Sequence, residues 1–313
     1  MSFETREANS EEMKKNIKIV KSMTGKMGFD ENMEKVNWKL VRIISNFGYS
    51  FMPKEKGIKI KKAKINNIGI EVSTPDTLDN DDIIFYIHGG GFVSGSAKSS
   101  RGYCSMLAKY SNLRVVAINY SLAPENKYPK AVNECFEIYR YLINKYPNSN
   151  ISLIGDSAGA NLSLVIALKS IKEKIRKPSC LVLNSIVSDF AGTLDRTIHQ
   201  IDDFTVKEGF LEPLRKIYIG DEDCQNPEIS PIFGVTKDLP PMFLTCDYNE
   251  TLYTDSYSLY KKATELGIDV EFIEMKNTFH AFATTGTATP ETKKILEESC
   301  SFIKRNSQNE IER

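Results

Sequence analysis

Residues 151–162 read Ile-Ser-Leu-Ile-Gly-Asp-Ser-Ala-Gly-Ala-Asn-Leu. A short apolar run enters Gly155-x-Ser157-x-Gly159, and a helical pattern leaves it. A serine at a sharp strand-to-helix turn projects its hydroxyl out of a sheet, where a base and a substrate can reach it. Such a turn crowds the positions two before and two after the serine, and glycine at both removes the Cβ clash. The helix that follows turns its positive N-terminal end toward the site. An ordinary glycine-rich turn shares the glycines but needs no serine between them. Ser157 is therefore the candidate nucleophile of an acyl-transfer reaction.

A second cluster fits the same chemistry. His88-Gly89-Gly90-Gly91-Phe92 directly follows the apolar run Ile83–Ile87. Three glycines leave backbone N–H groups uncovered, and acyl transfer needs such donors for the oxyanion that develops on the attacked carbonyl. Gly89, Gly90 and Gly91 are the candidates, Gly90 and Gly91 foremost, together with the amide of Ala158 after the nucleophile. A phosphate-binding loop would need a G-x-G-x-x-G or GK[ST] spacing, which is absent.

The chain has three histidines, at 88, 199 and 280. His88 belongs to the glycine loop and reads as structural. His199 lies in a segment between strands. His280 follows an apolar run at 270–275 and precedes the last helical stretch, so the order serine, acid, histidine points to His280 as the base. The acid belongs after the run 242–245, where Asp247 and Glu250 both stand. Either would hold the imidazole tautomer and stabilise its cation, and spacing does not choose between them. Asp255 reads as the cap of the following helix.

These residues need a rigid frame, and the chain supplies the pattern for one. Gly57–Lys64 and Ile68–Val72 alternate as a hairpin around Asn66-Asn67. Apolar runs at 83–87, 115–118, 151–154, 181–183, 242–245 and 270–273 alternate with helical stretches at about 130–146, 158–174, 255–266 and 291–305. Strands apolar on both faces and separated by helices imply a mostly parallel sheet covered on both sides. Ahead of it, Met13, Ile17, Val20 and Met23, then Met33, Val36, Leu40, Ile43 and Ile44, recur at helical spacing. They suggest two or three helices before the first strand, with Trp38 packed in a core. About 55 residues separate the runs at 181 and 242, far more than a simple crossover requires. Their aromatic and aliphatic content suggests an inserted helical element.

The 313 residues suffice for one large domain with a small subdomain, and 41% hydrophobic residues suffice for its core. Equal numbers of acidic and basic residues, 41 each, argue against a nucleic-acid footprint. The N-terminus lacks a signal-peptide pattern and no apolar run is long enough to span a membrane, so a soluble, cytoplasmic protein is expected. The six cysteines, at 104, 135, 180, 224, 246 and 300, form no C-x-x-C pair and have no histidine at ligand spacing. They read as reduced thiols, with neither a metal site nor a disulfide framework.

Three signatures together resemble the hormone-sensitive-lipase-like family of α/β-hydrolases: His88-Gly89-Gly90-Gly91, Gly155-Asp156-Ser157-Ala158-Gly159-Ala160-Asn161 and Tyr120-Ser121-Leu122-Ala123-Pro124-Glu125. The resemblance runs from about residue 60 to 305. It implies an α/β-hydrolase fold, a cofactor-free esterase acting mainly on short acyl chains, and Ser157, His280 and the glycine loop in the roles above. The family's usual acid pattern, D-P-L-x-D, has a variant E-x-L-x-x-D-S that uses glutamate. Glu250, Leu252, Asp255 and Ser256 match it, which favours Glu250 over Asp247. The resemblance further implies a helical cap from residues 1–50 and 187–237, which form the acyl and alcohol pockets, on a core of residues 51–186 and 238–313. Ser121 stands where the family's Y-R-L-A-P-E pattern has arginine, which leaves the local pairing of that loop open.

The expected reaction is a two-step acyl transfer on a small-molecule ester. An amidase or deacetylase with the same triad is one rival, and a catalytically silent small-molecule receptor on a hydrolase fold is another. An exposed last strand at 270–275 would offer an edge for a homodimer.

Overall fold

The computed structural model describes residues 1–24, 30–49, 54–197 and 201–308. Nine strands form one sheet in the order β1-β9-β8-β7-β6-β4-β5-β3-β2. The central strands β4 (Ile83–Ile87), β6 (Ile151–Asp156), β7 (Leu181–Asn184), β8 (Met242–Asp247) and β9 (Val270–Lys276) run parallel, with β5 (Arg114–Asn119) parallel to β4. The hairpin β2 (Ile58–Ile65) and β3 (Ile68–Pro75) adds two antiparallel strands at one side. Its turn places Asn66 and Asn67 at φ +48° and +69°. Asparagine tolerates these conformations well.

Alternate side chains of each central strand feed opposite layers. Phe85, Leu153, Leu183 and Leu244 pack with α4 (Lys130–Lys145), α5 (Ala158–Lys172) and α7 (Tyr253–Glu265) on one face. Tyr86, Ile154, Val182 and Phe243 pack with α3 (Arg101–Ser111) and α8 (Pro290–Gln308) on the other. Period-two alternation with both faces buried is why these strands read as unbroken apolar runs.

The N-terminal region departs from the helical expectation. Ser2–Glu7 form a strand, β1, laid parallel against β9, with Phe3 opposite Phe272. The expected free edge at 270–275 is therefore covered, and β1 is the edge. A polar hexapeptide gives no apolar alternation. Its strand character comes from backbone bonds to a partner roughly 270 residues away, which a local pattern does not carry. The following α1 (Glu11–Thr24) packs on α8, with Met13 fully buried. In α2 (Trp38–Tyr49), Trp38 is buried and its indole N–H donates to Met33 O at 3.1 Å, whereas Leu40, Ile43 and Ile44 face outward.

The 187–237 segment is helical only in part, through α6 (Leu211–Leu214), the π-helical turn Arg215–Ile219 and the 3-10 turn Pro231–Gly234. Its apolar residues still bury: Phe190, Val206, Phe210, Leu214 and Tyr218 join the core, and Phe92 stacks on Tyr218 at 3.8 Å. Met33–Lys35 meets α6, so the two non-sheet segments pack together. Asp255 does not cap α7. Fully buried, it accepts from the amides of Ser188 and Asp189 and pairs with Arg196 at 2.7 Å, pinning the start of the inserted segment. Burial opposes the Arg196 guanidinium's charge, but the Asp255 carboxylate outweighs it and raises the Arg196 pKa. All six cysteines are free thiols, five of them buried. Among the described residues, no helix is long and apolar enough to cross a membrane.

Candidate active site

Ser157 sits between β6 and α5 with φ +54° and ψ −120°. That conformation is strained for a residue with a side chain. The flanking glycines make it attainable. A Cβ on Gly155 would lie 2.2 Å from Gly159 O, and one on Gly159 would lie 2.0 Å from Ile87 O. The Ser157 amide donates to Asn184 O at 2.8 Å, which ties the turn to the end of β7. Asn161, one turn into α5, donates to Val187 O and Ile229 O and fastens the helix start to the inserted segment.

The candidate acid and base sit on the loops after β8 and β9, which lie side by side in the sheet. His280 Nδ1 lies 3.2 Å from Glu250 Oε1, and both side chains are buried. The second carboxylate oxygen of Glu250 accepts from Ser185 Oγ at 2.7 Å and from the Asp247 amide at 3.1 Å. Ser185 Oγ in turn accepts from the Ala281 amide at 2.9 Å. The chain from Ser157 N through Asn184, Ser185 and Glu250 to His280 thus gathers the candidate nucleophile, acid and base at the C-terminal ends of β6, β8 and β9. Burial disfavours the imidazolium of His280, but the Glu250 carboxylate outweighs it, and the His280 pKa lies above the ordinary imidazole value. Asp203 and Asp156 push in the same direction.

Asp247, the other carboxylate expected here, does not touch the histidine. One oxygen accepts from the amide and hydroxyl of Thr278 at 2.8 and 2.6 Å, the other from the Asn249 amide. It shapes the two loops that present Glu250 and His280.

The glycine loop lies across the top of β4. Gly89 donates its N–H to Asp156 Oδ2 at 3.1 Å, so that amide is already committed. A Cβ on Gly89 would stand 2.3 Å from the same oxygen. Gly90 and Gly91 adopt φ +105° and +58°, and among the described residues their amides and that of Ala158 have no protein acceptor. His88 is buried under the glycine loop. Its ring stacks on Tyr120 at 4.3 Å, and burial pushes its pKa down to about 4. His199 lies outside the described residues.

Several contributors escaped the sequence reading. Asp156, inside the nucleophile motif, also accepts from Tyr86 OH and so locks the glycine loop to the serine turn. Ser185 and Thr278 carry no signal in the sequence. Ser121, in the place of the expected arginine, donates its amide and hydroxyl to Glu134 at 2.6 and 2.8 Å. A guanidinium reaches that loop from elsewhere: Arg42 on α2 donates to Val93 O and Ala123 O and pairs with Glu125 at 2.9 Å.

Comparison with known proteins gives the family and supports the fold. A family model described as the alpha/beta hydrolase fold matches residues 84–284. An esterase of Acinetobacter venetianus is 31% identical over 224 residues, covering 70% of this chain and 74% of that protein. An acetyl-hydrolase of Streptomyces hygroscopicus is 29% identical over 224 residues, covering 71% and 75%. Among solved structures, a hormone-sensitive lipase from a metagenome library superposes with a TM-score of 0.82 at 26% identity, covering 93% of this chain and 98% of that one. The chain belongs to the α/β-hydrolase family.

Proposed function

We propose that this protein is a serine carboxylesterase that hydrolyses short-acyl-chain esters. Ser157 Oγ attacks the ester carbonyl while His280 Nε2 takes its proton. A C–O bond to Ser157 forms, and the oxyanion is met by the amides of Gly90, Gly91 and Ala158. Collapse expels the alcohol, which receives the proton from His280. Water then repeats the sequence on the acyl-enzyme and releases the carboxylic acid. Glu250 holds Nδ1–H and stabilises the imidazolium. Gly89 contributes by fixing the loop through Asp156. Residues 1–50, less the strand Ser2–Glu7, and 187–237 form the cap that shapes the acyl and alcohol pockets.

The observation that carries this reading is the His280–Glu250 contact, joined through Ser185 and Asn184 to the strained Ser157. The names of the relatives, esterase and acetyl-hydrolase, support an ester substrate with a small acyl group.

The test is hydrolysis of p-nitrophenyl acetate, butyrate and longer esters by the native protein and Ser157→Ala. The native protein should favour acetate, and the variant should lose at least about 10⁴-fold in kcat. Turnover by Ser157→Ala at the native rate ends the proposal. Faster turnover of a matched acetamide than of the acetate ester would move the reading to an amidase.

A further inference from the structure

Ser185 sits where three loops meet. It follows β7, between the strands that lead to Ser157 and to Glu250, and its amide donates to Thr245 O at 2.7 Å. Its hydroxyl is fully buried and doubly used. The proton goes to Glu250 Oε2 at 2.7 Å, and the oxygen accepts from the Ala281 amide, next to His280, at 2.9 Å. A hydroxyl is one donor and an acceptor, so it bridges a carboxylate and an N–H without leaving either group short.

The backbone makes this choice of residue informative. Ser185 has φ +51°. Glycine adopts that conformation freely, and a residue with a Cβ only at a cost. A position with no task beyond the turn would favour glycine. A side chain retained there against the strain, with both hydrogen-bonding functions spent on acid and base loops, calls for a role.

We infer that Ser185 is a positioning residue for the acid–base pair. By holding Oε2 it turns Oε1 toward His280 Nδ1, and by holding the Ala281 amide it fixes the loop that carries the imidazole. This rests on the reading of Glu250 and His280 as acid and base. The remaining donor on Oε2, the Asp247 amide at 3.1 Å, comes from the same loop as Glu250 and cannot register one loop against the other. Ser185 connects the two.

The experiment compares the native protein with Ser185→Gly and Ser185→Ala, each first shown to be folded by circular dichroism. Two readouts are taken: ester kinetics, and the far-downfield proton resonance of the His280 Nδ1–H, identified by its absence from His280→Asn. The inference expects kcat to fall about ten- to a hundredfold in both variants, the usual weight of a hydrogen bond to a charged group. KM should stay within about twofold, since Ser185 touches no substrate. The resonance should shift or broaden. Glycine must not rescue activity, although it removes the backbone strain. A kcat within about twofold of native in a folded variant overturns the inference, as does an unmoved resonance. If the native protein turns over no ester, the esterase reading fails by itself, and the resonance alone still decides the role of Ser185.

Discussion

Replacing Glu250 by glutamine keeps the size of the side chain and removes its charge. Glu250 Oε1 lies 3.2 Å from His280 Nδ1 in a buried setting, and no other carboxylate touches the imidazole among the described residues. Unit charges about 4 Å apart attract by about 4 kcal/mol at an effective dielectric constant of about 20. That attraction exists only when the imidazolium forms, so most of its loss falls on the barrier. About 4 kcal/mol corresponds to about 10³-fold in rate. A glutamine amide turned toward Nδ1 also favours the wrong tautomer, which in a serine protease extends the loss to about 10⁴. We therefore expect kcat to fall by about 10³–10⁴-fold in Glu250→Gln. The pH profile supplies an independent sign. The base must be neutral, so activity rises with pH through the His280 pKa. In the native protein that pKa is raised, and the acid limb of kcat/KM should lie above the ordinary imidazole value of about 6.5. Without the Glu250 charge, burial loses its main opponent and the residual limb should move to lower pH. Asp247→Asn is the matched control. It disturbs the Thr278 contacts, costs about 1–3 kcal/mol of stability, and leaves kcat within about tenfold of native. The assay is p-nitrophenyl acetate hydrolysis from pH 5 to 9, with the variants checked for folding. A silent Asp247→Asn beside an active Glu250→Gln would refute the assignment of the acid.

Two further outcomes follow from the packing. In Gly159→Ala the new methyl would fall about 1 Å inside the closest approach to Ile87 O, a backbone atom in close-packed surroundings that cannot yield cheaply. Activity should fall more than about a hundredfold together with a lower melting temperature, and a native-like variant would contradict the tight crossing of α5 over β4. Arg196→Met should destabilise by about 3–5 kcal/mol, because it leaves Asp255 buried beside two amides without its cation. Arg196→Met with Asp255→Asn should recover part of this, because the asparagine oxygen still accepts from the Ser188 and Asp189 amides and no charge is left unpaired, and urea unfolding of the single and double variants measures the coupling.

The strained serine turn, the glycine loop and the placing of His280 after β9 were legible because each depends on local chain properties. Gly89, Gly90, Gly155 and Gly159 mark places where a Cβ has no room, and the expected Ser–acid–His order follows from strands laid side by side. The alternating apolar runs likewise announced a buried parallel sheet. The choice between Asp247 and Glu250 was of another kind. Three residues apart on one loop, they differ by which loop each meets, and that is set when β8 and β9 pair: Thr278 takes Asp247, and His280 is left to Glu250. Asp255 misled for the same reason, since its place near a helix start suggested a cap while its partners lie 59 to 67 residues earlier. Gly89 ranked behind Gly90 and Gly91 as a donor from the sequence, and only the fold shows why its amide is engaged, by bringing Asp156 to it.

The sequence by itself determined the candidate residues for the chemistry and the order in which parallel strands present them, because residue type and periodicity act within a few positions. Only the tertiary structure decided which carboxylate meets the histidine, that residues 2–7 cover β9 and become the edge strand, and that a serine in a left-handed backbone conformation joins the Glu250 and His280 loops. Each of these depends on hydrogen bonds between loops or strands distant in the chain, and such bonds leave no periodic trace in the segments that make them.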